Sequence, residues 1–286
     1  MAGVALLLVL GLYAATSNTI FGNHPKTADA VPAANTPHQA GAAMAEMPVT
    51  NYSIDSILLQ AQSRLTPQQT ARLNALESRL KGAPAEEKIH LNHQLARVWH
   101  DSLKMFEPYA WYTAEAARLE NSENSLTFAA HLFLDGLQAE ENPSVKQWKA
   151  QQAKDLFERA LKINPANDSS QVGLGATLLF GGIAMPMEGI QKIRGVVERD
   201  SNNVYAQMTL GQASLLSGQL DKAVDRFKKV IGLQPKNLEA ILSLAETYER
   251  MGNKPDAILW YQKSLPFSDV PGLREEIEGR IKDLSK

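Results

Sequence analysis

From residue 53 onward, apolar side chains recur at spacings of three and four, the period of amphipathic helices rather than strands. Ile54, Ile57, Leu58, Ala61 and Leu65 mark a first helix. Thr66-Pro67-Gln68-Gln69 then supplies a cap residue, a proline at the first helical position and a glutamine three after the cap. The stripe Leu73, Leu76, Leu80 that follows runs to Gly82. The two stretches predict an N-terminal helical pair over residues 51–89.

Beyond that pair the pattern becomes periodic at a longer scale, about 34 residues. The clearest unit, VYAQMTLGQASLLSGQLDKAVDRFKKVIGLQPKN, covers residues 204–237. It has Leu210 and Gly211 in a first helix, Ala223 and Phe227 in a second, and Pro235 at the exit. The next unit, 238–271, repeats the scheme with Leu244, Ala245, Tyr248, Ala257 and Tyr261. Small residues stand where two helices must approach closely, and an aromatic fills the gap beside them. Residues 168–203 carry Leu174, Gly175, Leu178, Gly189 and Ile193 in the same roles, with two extra residues around Met185-Pro186-Met187. Two less regular units precede it, 90–123 and 124–167, the latter with an inter-helix turn predicted to be long, from Glu140 to Lys149. After Pro271, Leu273, Ile277, Ile281 and Leu284 share one stripe, which predicts a C-terminal capping helix over 272–286.

LGQASLLSGQLDKAVDRFKKVIGLQP and its companions resemble the tetratricopeptide repeat family over roughly residues 90–271. The chain as a whole resembles the membrane-anchored or exported repeat proteins of the Bacteroidota. The resemblance implies an all-α fold, a right-handed superhelical solenoid of antiparallel helix pairs, whose first helices line a concave groove that takes a protein or peptide partner. Val172, Ala176 and Leu179 in the third unit, Tyr205, Met208, Gln212 and Leu215 in the fourth, and Leu242, Glu246 and Glu249 in the fifth are placed on that face by position. Such a groove is apolar in the middle and acidic at its far end. Chaperone-receptor members of the family grip a C-terminal carboxylate with basic and asparagine side chains; the corresponding positions here include Val172 and Ala176, which disfavours that ligand.

The N-terminus departs from this helical texture. Residues 2–15 read AGVALLLVLGLYAA without a charge, shorter than the roughly 20 residues of a spanning helix. Two readings stay open: an uncleaved anchor over residues 4–21, or an export signal cleaved near Ala15 and Ser17. Residues 22–50, with Pro25, Pro32, Pro37 and Pro48 among small polar residues, read as a linker. A membrane-anchored or periplasmic protein on the extracytoplasmic side is expected.

Twenty-nine basic and 31 acidic residues leave a net charge of -2, which gives no reason to expect a nucleic-acid partner. The absence of cysteine excludes disulfides, thiolate metal sites and a cysteine nucleophile. Glu86, His90 and His93 share a helix face, with His100 two turns further, but no additional cluster closes a coordination shell, so neither metal nor cofactor is expected. Trp99, Trp111, Trp148 and Trp260 read as packing residues. No phosphate loop, nucleophile elbow or carboxylate pair in a catalytic context appears, which argues against an enzyme. The sequence therefore predicts a non-enzymatic interaction scaffold, the alternative being a periplasmic chaperone-like assembly factor for exported or cytochrome-type proteins.

Overall fold

A computed structural model describes residues 52–286. The expected anchor or signal and the linker lie outside the described residues. Among the described residues there are thirteen α-helices and no strand, and no helix is long and apolar enough to cross a membrane.

The helices are α1 (Ile54–Gln62), α2 (Pro67–Gly82), α3 (Ala85–Arg97), α4 (Phe106–Glu120), α5 (Glu123–Leu134), α6 (Pro143–Ile163), α7 (Asp168–Phe180), α8 (Pro186–Arg199), α9 (Val204–Leu216), α10 (Leu220–Leu233), α11 (Leu238–Arg250), α12 (Lys254–Ser264) and α13 (Leu273–Leu284). Local chemistry sets their starts. An asparagine side chain accepts from a first-turn amide at Asn142, Asn167, Asn203, Asn237 and Asn253, the N-caps of α6, α7, α9, α11 and α12. Thr66 and Gln69 form a reciprocal capping box at α2.

Consecutive helices pack as the pairs α3–α4, α5–α6, α7–α8, α9–α10 and α11–α12, and each pair leans on the next, so the chain is an all-α solenoid. The small-residue rule is visible in the packing. Gly211 of α9 faces Phe227 of α10 so closely that a Cβ there would stand 2.6 Å from the ring's Cε1. Gly175 of α7 meets Ile193 of α8 in the same way, at 2.5 Å from Cγ1. Phe227 and Ile193 are fully buried beside those glycines, and Tyr261 is fully buried in the core that holds Ala245 and Ala257.

Two segments stand out. The stretch 140–149, expected as a turn, contributes the first turns of the 21-residue α6 from Pro143 onward, because Asn142 caps it and a proline fits the first position. Trp148 there stacks on Trp111 and meets Tyr52 and Phe133 edge-on. Buried Lys149 bridges Glu107 of α4 (3.2 Å) and Glu140 (2.8 Å). At the other segment, Ile183 and Ala184 fold back onto the core of the second pair, leaving Met185 and Met187 exposed (75% and 55%). At the N-terminus, α1 lies against α4 and α2 against α3, and Ala61 of α1 and Leu73 of α2 belong to one core cluster with Leu95 and Trp99.

At the opposite end, α13 docks on α12 through Leu273 and Ile277, both buried. Arg280 adds an ion pair to Glu249 of α11, its Nε donating across 2.8 Å.

Candidate functional site

The first helices α5, α7, α9 and α11 follow one another along the same side of the solenoid, successive members touching. Between them lies a groove of about 500 Å³. Its apolar wall is formed by Leu134, Ala176, Phe180, Val204 and Met208. Its polar groups are Asp135 and Gln138 just past the end of α5, Tyr205, Thr209 and Gln212 of α9, and Glu239 in the first turn of α11.

The polar groups are unequally satisfied. Gln212 donates to Glu239 (2.6 Å) while its own carbonyl oxygen accepts from Gln138 (3.3 Å), a chain that crosses three elements. Glu239 has no cationic partner among the described residues, and burial raises its pKa against the lowering effect of the Gln212 bond. Asp135 has neither ion pair nor side-chain hydrogen bond among the described residues, and burial pushes its pKa up to about 6. The Tyr205 hydroxyl likewise hydrogen-bonds to none of the described residues. Burial and then the nearby charges of Asp135 and Glu239 raise its pKa. One turn before Asp135, His131 packs edge-on against Phe157 and tilted over Tyr205, and burial holds it down at about 4, neutral at physiological pH.

Of the side chains expected in the groove, Tyr205, Met208 and Gln212 line it, as does Ala176. Val172, fully buried, belongs instead to the seam with Ile193, Val196, Ala206 and Leu210, and Leu179 packs on that same seam. Leu215 (7% exposed) and Leu242 (4%) are core residues of the last two pairs. The reason is geometric: α9 is enclosed on nearly every side, nine of its thirteen residues being buried, so apolar character does not single out the groove face. Glu246 and Glu249 are engaged elsewhere, Glu246 with Arg250 (2.6 Å) and Glu249 with Arg280 and the Tyr261 hydroxyl (3.0 Å).

Sequence reasoning passed over Asp135, Phe180 and Glu239. The available signal was FLDGLQ, where an acidic residue interrupts an apolar run one position before a glycine, the mark of a helix end facing something other than core.

The histidines expected on one face take separate carboxylate partners, His93 with Glu120 (2.6 Å) and His100 with Asp101 (2.8 Å). Among the described residues, no group of three or more His, Asp and Glu side chains could hold a metal ion.

Residues 214–266, from the end of α9 through α12, match the tetratricopeptide repeat family. The stretch from the end of α9 through α12 carries tetratricopeptide repeats. No curated protein matches the chain. Solved structures similar to it include a MamA protein, at 15% identity over 68% of this chain and 96% of that one, TM-score 0.43. MamA from Desulfovibrio magneticus RS-1 is 20% identical over 64% and 98%, TM-score 0.44. YrrB, described as a repeat protein with an unusual peptide-binding site, is 19% identical over 65% and 97%, TM-score 0.40.

Proposed function

We propose that this protein is a non-enzymatic interaction scaffold that holds a polypeptide partner in the groove between α5, α7, α9 and α11. The observation that supports this most is the juxtaposition of an apolar wall, Phe180 and Met208, with hydrogen-bonding groups that have no side-chain partner among the described residues, Asp135 and the Tyr205 hydroxyl. Apolar surface supplies affinity, and convergent polar groups supply register. With the apolar N-terminal segment and the Pro-rich stretch as tether or export signal and spacer, the scaffold works at a membrane or in the periplasm, on the extracytoplasmic side.

Phe180 is the position for the test, since it lines the groove, is only partly buried and ends its helix. Affinity purification of the full chain should recover a partner that the Phe180→Glu variant loses while keeping its helical circular dichroism. Equal recovery with folded Phe180→Glu would reject the groove as the binding site.

A further inference from the structure

Among the described residues, the groove is lined by two carboxylates and no cation. Asp135 enters from the end of α5 and Glu239 from the first turn of α11, and Tyr205 of α9 lines the same groove. Neither carboxylate forms an ion pair with any described residue. Elsewhere, partly buried carboxylates are met by cations, as Glu249 by Arg280, Glu246 by Arg250 and Glu140 by Lys149, or by neutral donors, as Glu77 by Tyr112 and Glu123 by Asn164 and Asn167, whereas Asp135 has neither among the described residues. A carboxylate withdrawn from water without a counter-charge carries an unfavourable desolvation term, which a cation arriving with a ligand removes.

We propose that the groove recognises a polypeptide segment through one lysine or arginine side chain, which Asp135 and Glu239 receive while apolar neighbours in the segment pack on Phe180 and Met208. An ammonium or guanidinium brings several N–H donors and no acceptor. The groove offers it acceptors: two carboxylates, the unengaged Tyr205 hydroxyl oxygen and the Gln138 amide oxygen at the rim. The apolar wall around them lowers the local dielectric and strengthens each charge-assisted bond. A segment presenting an acidic side chain there would meet repulsion from both sides.

The inference deepens the groove reading and rests on it. Random linear peptides displayed on phage would be selected on the detergent-solubilised full chain. The best-enriched peptide and its analogue with norleucine in place of the basic residue would then be titrated against the full chain, against Asp135→Asn/Glu239→Gln and against Phe180→Glu. The account expects enriched sequences with a lysine or arginine flanked by apolar residues, and roughly a tenfold or greater loss on the norleucine swap. That loss should vanish in the Asp135→Asn/Glu239→Gln protein, whose amides keep the shape without the charge, and Phe180→Glu should weaken both peptides. Enriched peptides without a basic residue, or a swap as damaging in the double variant as in the wild type, would overturn the inference; if those peptides were still lost on Phe180→Glu, the groove reading would stand alone. Binding indifferent to Phe180→Glu, or no enrichment at all, contradicts both.

Discussion

Gln212 of α9 donates a 2.6 Å hydrogen bond to Glu239 of α11, tying two successive repeats together across the groove. It is the one side-chain donor that Glu239 has among the described residues, and it opposes the burial that raises that carboxyl's pKa. Replacing Gln212 with leucine leaves a half-buried carboxylate unsatisfied and should cost about 1–3 kcal/mol at neutral pH. Combined with Glu239→Gln, most of that loss should disappear. Urea midpoints of the two single variants and the double variant measure it, and strict additivity would show that the bond is idle.

Gly211 should not tolerate a methyl group. Its contact with Phe227 is set by two helix backbones, so Gly211→Ala forces the ring out of a filled core, at about 1–3 kcal/mol. Gly232, near the end of α10, has nothing within 4 Å of an added Cβ. There the same change should stabilise by roughly 0.4–1 kcal/mol through the unfolded chain. Thermal melts of the pair should move in opposite directions.

His131 and Asp135 lie one turn apart, and their linkage to pH runs in opposite senses. Asp135 titrates higher in the folded protein (about 6) than in an unfolded chain (3.8), so the folded state binds more protons in between, and stability falls as pH rises through that window. His131 titrates lower when folded (about 4, against 6.5), so its contribution is present above 6.5 and lost as pH falls toward 4. In the wild type the two slopes offset each other over the shared window. Asp135→Asn should unmask the histidine, giving stability that rises steadily from pH 4 to 6.5, and should raise the melting temperature at pH 7.5. Urea melts across pH 4 to 8 would show this; identical pH profiles for the variant and the wild type would refute it.

The last helix is held at a charged and an apolar point. Glu249 accepts from both Arg280 and Tyr261, while Ile277 is fully buried. Arg280→Met leaves that carboxylate one strong partner short and should cost about 1–2 kcal/mol, whereas Ile277→Glu should cost roughly 3 kcal/mol or more and release α13. Hydrogen exchange over residues 273–284 reports the difference directly.

The repeat architecture was legible because its determinants are local and steric. Gly211, Ala223 and Phe227 occur where a helix pair can close in no other way, and Asn-capped starts recur with them. The groove was only half legible. Tyr205, Met208 and Gln212 lie in it, but Val172, Leu215 and Leu242, three to seven residues from the groove-lining Ala176, Gln212, Met208 and Glu239, share that helical stripe and lie further along it, where packing against neighbouring helices covers them. Where α9 is enclosed on nearly every side, no polar stripe marks the groove. Asp135 and Glu239 went unseen because each stands at a helix end, the one place where an acidic side chain already has an ordinary local explanation.

The most direct test of a polypeptide-binding groove is site-specific photocrosslinking in intact cells producing the full chain. A benzophenone side chain would be placed at Gln138, exposed at the groove rim, or at Asp225, exposed on the second helix of the fourth pair. The account predicts a discrete protein adduct from position 138, none from 225, and loss of the 138 adduct on Phe180→Glu. Adducts of equal yield from both positions, or none from 138, would contradict it.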